Sequence, residues 1–261
     1  MSVIDVLEPL TIQGTDTTLE AAAIPMEPWF QGAYESWRPL PTRSARRVER
    51  HDVRQEVDCR RGYLFAKRCL DIVGALVAII VSSPVMFLAA ILIKLTDRGP
   101  IFYTHDRIGL GGVKFRCVKF RSMVVDADRR HHELVKWNHH EDSRTFKIPN
   151  DPRVTWIGRL MRRSSIDELP QLFNVLTGAM SLVGPRPPVP REVLQYTPQD
   201  MRRLDVKPGL TCLWQVSGRS RLPFPEQLRL DLQYVEQRNL WLDVKLILRT
   251  FPAVLSADGA Y

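Results

Sequence analysis

Residues Ile72 to Ile93 form 22 consecutive uncharged positions, IVGALVAIIVSSPVMFLAAILI. A helix over that run rises about 33 Å, enough to enter or cross the hydrocarbon core of a bilayer. Nothing else in the chain matches it. The sequence therefore predicts a protein that works at a membrane while most of its mass stays in water. Ser82, Ser83 and Pro84 sit in the middle of the run, and the proline removes a backbone donor and crowds the preceding turn, so a kink is expected there. Arg60, Arg61, Lys67 and Arg68 precede the run and Lys94 and Arg98 follow it. Positive residues favour the cytoplasmic side, and with both flanks basic two topologies stay open: one straight span, or a helix that enters, breaks at Ser83-Pro84 and returns. A buried soluble helix would be shorter, and a cleaved signal peptide would stand nearer the start.

The remainder is soluble in character. The chain has 261 residues, a formal charge of +8, 44% hydrophobic and 25% charged residues, enough for one sizeable domain beyond the anchor. Cys59, Cys69, Cys117 and Cys212 have neither close pairing nor metal-ligand spacing and read as reduced thiols. The positive balance suits anionic headgroups, phosphorylated substrates or nucleic acid, and charge alone does not choose.

Residues 1–58 carry Pro25, Pro28, Pro39 and Pro41 without sustained periodicity and are expected to be disordered. From Arg38 to Arg68 there are ten Lys or Arg against four acids, a basic approach to the bilayer. Residues 59–94 hold that approach and the membrane segment, and 95–261 the catalytic-looking region. Within it VKFRCVKFRS (113–122) alternates apolar and basic residues imperfectly and could present Lys114, Arg116, Lys119 and Arg121 to phosphates, or simply to solvent. His131, His132, His139 and His140 lie among basic residues without cysteines, and a metal reading there is not adopted.

The densest constellation is RLMRRSSIDELPQLFNVLTGAMSLVGPR (159–186). Ser164 and Ser165 stand three residues before Asp167 and Glu168, as in a helix capping box. Ile166, Leu169, Phe173 and Leu176 supply an apolar stripe; Pro170 is poorly tolerated inside a helix, so either the helix start is distorted or helix proper begins near Leu169, and Gly178 is a natural stop. Two adjacent carboxylates beside Arg159, Arg162 and Arg163 could do phosphate chemistry: arginines bind phosphoryl oxygens, one carboxylate can attack phosphorus, and its neighbour can hold a divalent cation. Acids offsetting a helix dipole are the competing account. In KPGLTCLWQVSGRSR (207–221), Trp214 could stack on a base while Gln215, Ser217, Arg219 and Arg221 meet polar groups of a nucleotide, or Trp214 could be an ordinary buried residue. Glu226 to Arg238 reads as a helix containing Asp231. LWLDVKLILRTF (240–251) is too short to span and suits an interfacial helix.

Five stretches in order, GPIFYTHDRIGLGG, VKFRCVKFRSM, NDPRVTWIGRLMRRSSIDELPQLFNVLTGAMSLVGPRP, VKPGLTCLWQVSGRS and LRLDLQYVEQRNLWLDVKLIL, resemble the bacterial sugar transferases. The likeness is to the small monotopic polyprenyl-phosphate phosphoglycosyl transferases, especially exopolysaccharide-initiating ones. The resemblance implies transfer of a sugar 1-phosphate, glucose or galactose, from a UDP-sugar to undecaprenyl phosphate, releasing UMP. It implies Asp167 as nucleophile, Glu168 beside it as a Mg2+ ligand, Asp231 near the same metal, and Arg162 on phosphate. With the cluster readings, the expected binding residues are Arg121, Arg162, Trp214, Gln215 and Arg219. The alternatives are the same chemistry on an N-acetylated or modified donor, or a non-catalytic membrane-tethered phosphate-binding or assembly protein.

The resemblance also implies a re-entrant helix broken at Ser83-Pro84, with the catalytic domain on the cytoplasmic face of the bacterial inner membrane. The expected fold is α/β, a compact catalytic domain fused to that helix, without the GxGxxG fingerprint of a Rossmann domain. A homo-oligomer is among the expected partners and nucleic acid is not. Three positions depart from the family pattern: His105 stands where glutamine is common, Ala179 where a polar residue is common, and Cys212 where glycine is common.

Overall fold

One helix, α1 (Arg50–Asp97), organises the chain. The structure, a computed structural model, describes residues 50–127, 129, 151–218 and 222–255. Residues 1–49, the four histidines at 131, 132, 139 and 140, Arg219 and Arg221 lie outside them. Helix begins at Arg50, inside the stretch expected to be irregular. The last proline before the membrane run is Pro41, and the residues from Arg50 onward contain no breaker until Gly62, so the helix extends back from the apolar run.

α1 passes through Pro84 without interruption. Pro84 cannot donate to the Ile80 carbonyl four residues back, but Ser83 Oγ donates to that oxygen at 2.8 Å. Ser82 Oγ likewise donates to the Ala78 carbonyl at 2.6 Å. In an apolar solvent a backbone carbonyl left without a partner is costly, so the serine ahead of the proline repairs what the proline removes. Among the described residues this is the one helix long and apolar enough to cross a membrane. Val77, Ile80, Val81, Val85, Phe87 and Leu88 face outward. Two places on α1 do not. Ala75 packs with Leu172, Val175, Leu182, Tyr234 and Leu246, and Ala89 and Ile93 pack with Phe120, Ile157 and Met161. The alanines let the soluble domain approach the helix closely.

After α1 the chain forms an antiparallel hairpin, β1 (Phe102–Ile108) and β2 (Lys114–Phe120), reversed at Gly111 with φ 65°. Next comes α2 (Trp156–Arg163), whose N-cap Thr155 accepts from Gly158 N at 3.0 Å. α3 (Gln171–Thr177) leads to β3 (Ser181–Val183), and the short α4 (Pro190–Val193) precedes β4 (Gly209–Thr211), which pairs in parallel with β3. α5 (Phe224–Gln237) and α6 (Leu240–Leu255) close the chain. The domain is mixed α/β, with two separate two-stranded sheets among the described residues.

Buried polar contacts fasten α1 to this domain. Asp71 Oδ1 accepts from Ser181 Oγ and Leu182 N, both at 2.9 Å. Asp243 on α6, fully buried, accepts from Tyr63, Lys67 and Tyr234 at 3.1, 3.0 and 2.7 Å. Asp243 turns inward while α6 exposes Trp241, Leu248 and Phe251 together with Lys245 and Arg249. Cys69, Cys117 and Cys212 are free thiols.

Candidate active site

The Ser164–Ser165 pair ends a helix instead of starting one. Ser164 caps α2 and its Oγ donates to the Leu160 carbonyl at 2.9 Å. Ser165 adopts left-handed backbone, φ 56°, and makes no side-chain cap. The expected capping box is therefore not formed, because the serines are consumed by the end of α2. Asp167 and Glu168 instead occupy a single 3-10 turn, Ile166–Glu168, and α3 begins at Gln171 after Pro170. Gly178 ends α3 with φ 87°, where a side chain would be strained.

The hairpin supplies the opposite wall. Period-two alternation puts Tyr103, His105 and Arg107 on one face with their partners Lys119, Cys117 and Phe115. Lys114 and Arg116 fall on the other. Asn174 fixes this face against α3: its Oδ1 accepts from Val118 N at 3.0 Å and its Nδ2 donates to the Arg116 carbonyl at 2.8 Å, as an adjacent strand would. Lys119 Nζ then reaches Glu168 Oε1 at 2.6 Å. Arg186, on the loop after β3, lies 3.7 Å from the same oxygen and sits over the Trp214 ring.

A cleft opens here, lined among others by Arg107, Lys119, Glu168, Gln171, Arg186 and Gln215. Three cations around one carboxylate make it a site for a polyanion. Arg107 is held by two bonds, Nε to His105 Nε2 at 2.5 Å and NH1 to the Pro187 carbonyl at 2.8 Å. Burial, reinforced by Arg107 and Lys119, pushes His105 down to about 2. The imidazole is thus neutral and free to accept that bond.

The two acids are driven apart. Burial would raise Glu168, but Lys119 and then Arg186 outweigh it and hold the carboxyl well below its ordinary range. Asp167, 8% exposed, is raised, chiefly by burial and also by Glu168, against the opposing pull of Lys119, Arg162 and Arg186. Arg162 is oriented by an Nε bond to Ser122 Oγ at 2.9 Å and acts electrostatically on Asp167 first among the acids near it. The close packing of α2 that sets this distance depends on Gly158, where a Cβ would come within 1.9 Å of the Ser122 carbonyl.

Other sequence-selected residues lie elsewhere. Arg121 is ion-paired to Asp97, at the end of α1, and does not line the cleft. Trp214 is 7% exposed and its ring faces Arg186, which leaves it little surface for an open stacking platform. Gln215 lines the cleft and accepts from Cys212 Sγ at 3.1 Å. Asp231 is fully buried, and its Oδ2 takes Arg203 NH2 at 2.5 Å. Arg203 also donates to the Arg186 carbonyl at 3.1 Å and to Tyr196.

No cluster of three metal-binding side chains occurs among the described residues. Magnesium needs none, since one or two carboxylates, water and substrate phosphates can complete its shell. Glu168, beside Asp167 and open to the cleft, fits that role. Asp231 holds Arg203 through Oδ2, leaves its buried Oδ1 without a hydrogen-bond partner, and is not among the residues that line the cleft.

Arg186, Arg107 and Asn174 were the site residues that motif reading did not select, whereas Lys119 was one of four basic residues of 113–122 considered for phosphates. The alternation in VKFRCVKF was the signal for Lys119, though not for which of the four faces the acids; no local pattern marks the other three.

Residues 62–257 match the bacterial sugar transferase family. The chain belongs to it. Among relatives of these bacterial sugar transferases, "Galactosyl transferase CpsE" of Streptococcus agalactiae is 45% identical over 76% of this chain and 44% of its own length. "Exopolysaccharide production protein ExoY" of Rhizobium meliloti is 42% identical over 75% of this chain and 88% of its own. "Undecaprenyl-phosphate galactose phosphotransferase" of Salmonella typhimurium is 44% identical over 77% of this chain and 43% of its own. The chain thus spans less than half of two of these relatives and nearly all of the third. Asp167, Glu168, Lys119, Arg162 and Arg186 all lie inside the stretch matched to the sugar transferase family.

Proposed function

We propose that the protein transfers a sugar 1-phosphate from a UDP-sugar to undecaprenyl phosphate, with Asp167 as nucleophile, as the first membrane step of an exopolysaccharide or capsule. The observation that carries this reading is the divided acid pair: an ionised Glu168 locked between Lys119 and Arg186, and beside it a poorly solvated Asp167 that forms no salt bridge among the described residues. Burial that raises the pKa also strips solvent from the attacking oxygen.

In the first step an Asp167 carboxylate oxygen attacks the phosphorus that carries the sugar. A P–O bond forms, the anhydride P–O bond breaks, and UMP leaves with that electron pair. Lys119, Arg107 and Arg186 offset the charge of the diphosphate, and Arg162 faces Asp167. In the second step an oxygen of undecaprenyl phosphate attacks the same phosphorus and Asp167 departs as carboxylate. Neither step needs a base, because both nucleophiles are already anions. Magnesium held through Glu168 would supply further charge neutralisation on the diphosphate. Asp231 acts through Arg203, which holds the Arg186 carbonyl and so the loop that carries Arg186.

A hexose donor, glucose or galactose, is favoured; two of the relatives above carry galactose in their names. The membrane helix is read as re-entrant, with the domain on the cytoplasmic face. Support comes from contacts at both ends of the apolar run: Arg68 and Asp71 before it, and Asp97 after it, all bond the same domain. A straight span would put those ends about 33 Å apart across the bilayer.

The test is a Mg2+-dependent assay with undecaprenyl phosphate and a panel of nucleotide sugars, reading lipid-linked product. Transfer from UDP-glucose or UDP-galactose is expected. Transfer only from N-acetylated donors would refute the donor assignment, and no transfer from any donor would refute the reaction.

A further inference from the structure

At the far end of α3 from the acid pair, two cations approach each other. Arg68 NH1 and NH2 donate to the carbonyls of Val175 and Leu176, both at 2.7 Å. Lys207 comes from the segment before β4. From a Cβ placed on Gly178, Arg68 NH2 and Lys207 Nζ are each 3.5 Å away, so the like charges lie no more than about 7 Å apart and repel. The acid that acts on Lys207 is Asp71. It is buried and already accepts from Ser181 and Leu182. Among the described residues no carboxylate forms a salt bridge with Lys207. Burial, and then Arg68, lower its pKa against Asp71.

The depth of this pair is informative. Arg68 precedes Ile72, where the apolar run begins, by one helical turn, a rise on the order of 6 Å. The headgroup layer outside the hydrocarbon core is about 5–8 Å deep on each side. The pair therefore stands at the level of lipid phosphates, on the face where α1 enters.

We propose that Arg68 and Lys207 bind the headgroup phosphate of an anionic phospholipid. The three N–H groups of Lys207, and the guanidinium N–H groups of Arg68 beyond the two that bond the Val175 and Leu176 carbonyls, can meet its oxygens. The acceptor substrate is not the occupant. α3 separates this pair from Glu168 by roughly 10 Å, too far for a phosphate held here to attack phosphorus on Asp167. The site depends on α1 entering the bilayer near Ile72, and not on the transfer chemistry.

The experiment uses the full chain, delipidated in neutral detergent, with phosphatidylglycerol or phosphatidylcholine added in mixed micelles and retained lipid read by native mass spectrometry. Wild type should retain phosphatidylglycerol about tenfold over phosphatidylcholine. Lys207→Gln should lose that preference and Lys207→Arg should keep it, with unchanged KM for undecaprenyl phosphate in detergent. Equal retention of phosphatidylglycerol by Lys207→Gln and wild type would overturn the proposal. So would a raised acceptor KM in Lys207→Gln with lipid retention intact, which would make the acceptor phosphate the occupant. Displacement of phosphatidylglycerol by millimolar inorganic phosphate would make it a free-anion site and overturn it too.

Discussion

Lys119→Gln separates the electrostatic account from a purely steric one. Lys119 Nζ lies 2.6 Å from Glu168 Oε1, with side chains 17% and 20% exposed. Glutamine keeps a donor but not the charge. Losing one charge-assisted bond at this burial costs about 2 kcal/mol, or roughly 30-fold in kcat/KM. A second effect depends on pH. Asp167 must be ionised to attack, and its pKa is already raised, so the first half-reaction falls as pH drops through a value above the ordinary carboxylate range. Lys119 is the strongest influence opposing that rise; removing it raises Asp167 further, so the acid limb moves to higher pH. UMP release in single turnover, followed from pH 5 to 9, should show a deficit that widens toward acid. An acid limb that stayed in place, or moved to lower pH, would refute the reasoning.

Other substitutions test the supports. Ser83→Ala should leave the Ile80 carbonyl without its donor and lower stability in detergent by about 1 kcal/mol, read by thermal denaturation. Asp231→Asn should strand the buried Arg203 charge and cost about 3–5 kcal/mol, with loss of folded protein at 37 °C; an unchanged melting temperature would mean that the pair is not formed. Gly158→Ala should force α2 off the Ser122 backbone, at about 2 kcal/mol, and weaken donor binding by shifting Arg162.

Much of this was written in local sequence. The apolar run from Ile72 to Ile93 and the Gly178 stop each follow from a property of a few consecutive residues, whereas the break expected at Pro84 does not occur: α1 runs through it, with Ser83 Oγ on the Ile80 carbonyl. What failed was judgement between two local uses of the same residues. Ser164 and Ser165 fit a capping box by spacing, but α2 ends on them first, and only tertiary packing of Ile157 and Met161 on α1 decides that. The basic strand was visible, yet which of its cations faced the acids depended on strand register and on Asn174. Arg107 and Arg186 arrive from separate loops and strands, a juxtaposition no window of sequence contains. Asp231 illustrates the converse: an acid at the right place in a family pattern proves to be buried against Arg203, a partner 28 residues away.

The central claim is that Asp167 carries the sugar phosphate. Intact-protein mass spectrometry after incubation with UDP-galactose or UDP-glucose and Mg2+, without lipid acceptor, tests it directly. The account predicts a mass increase of one hexose phosphate, localised to the Asp167 peptide, removed by undecaprenyl phosphate and absent from a folded Asp167→Asn protein. An adduct that persists in Asp167→Asn, or wild-type turnover by that variant, would contradict it.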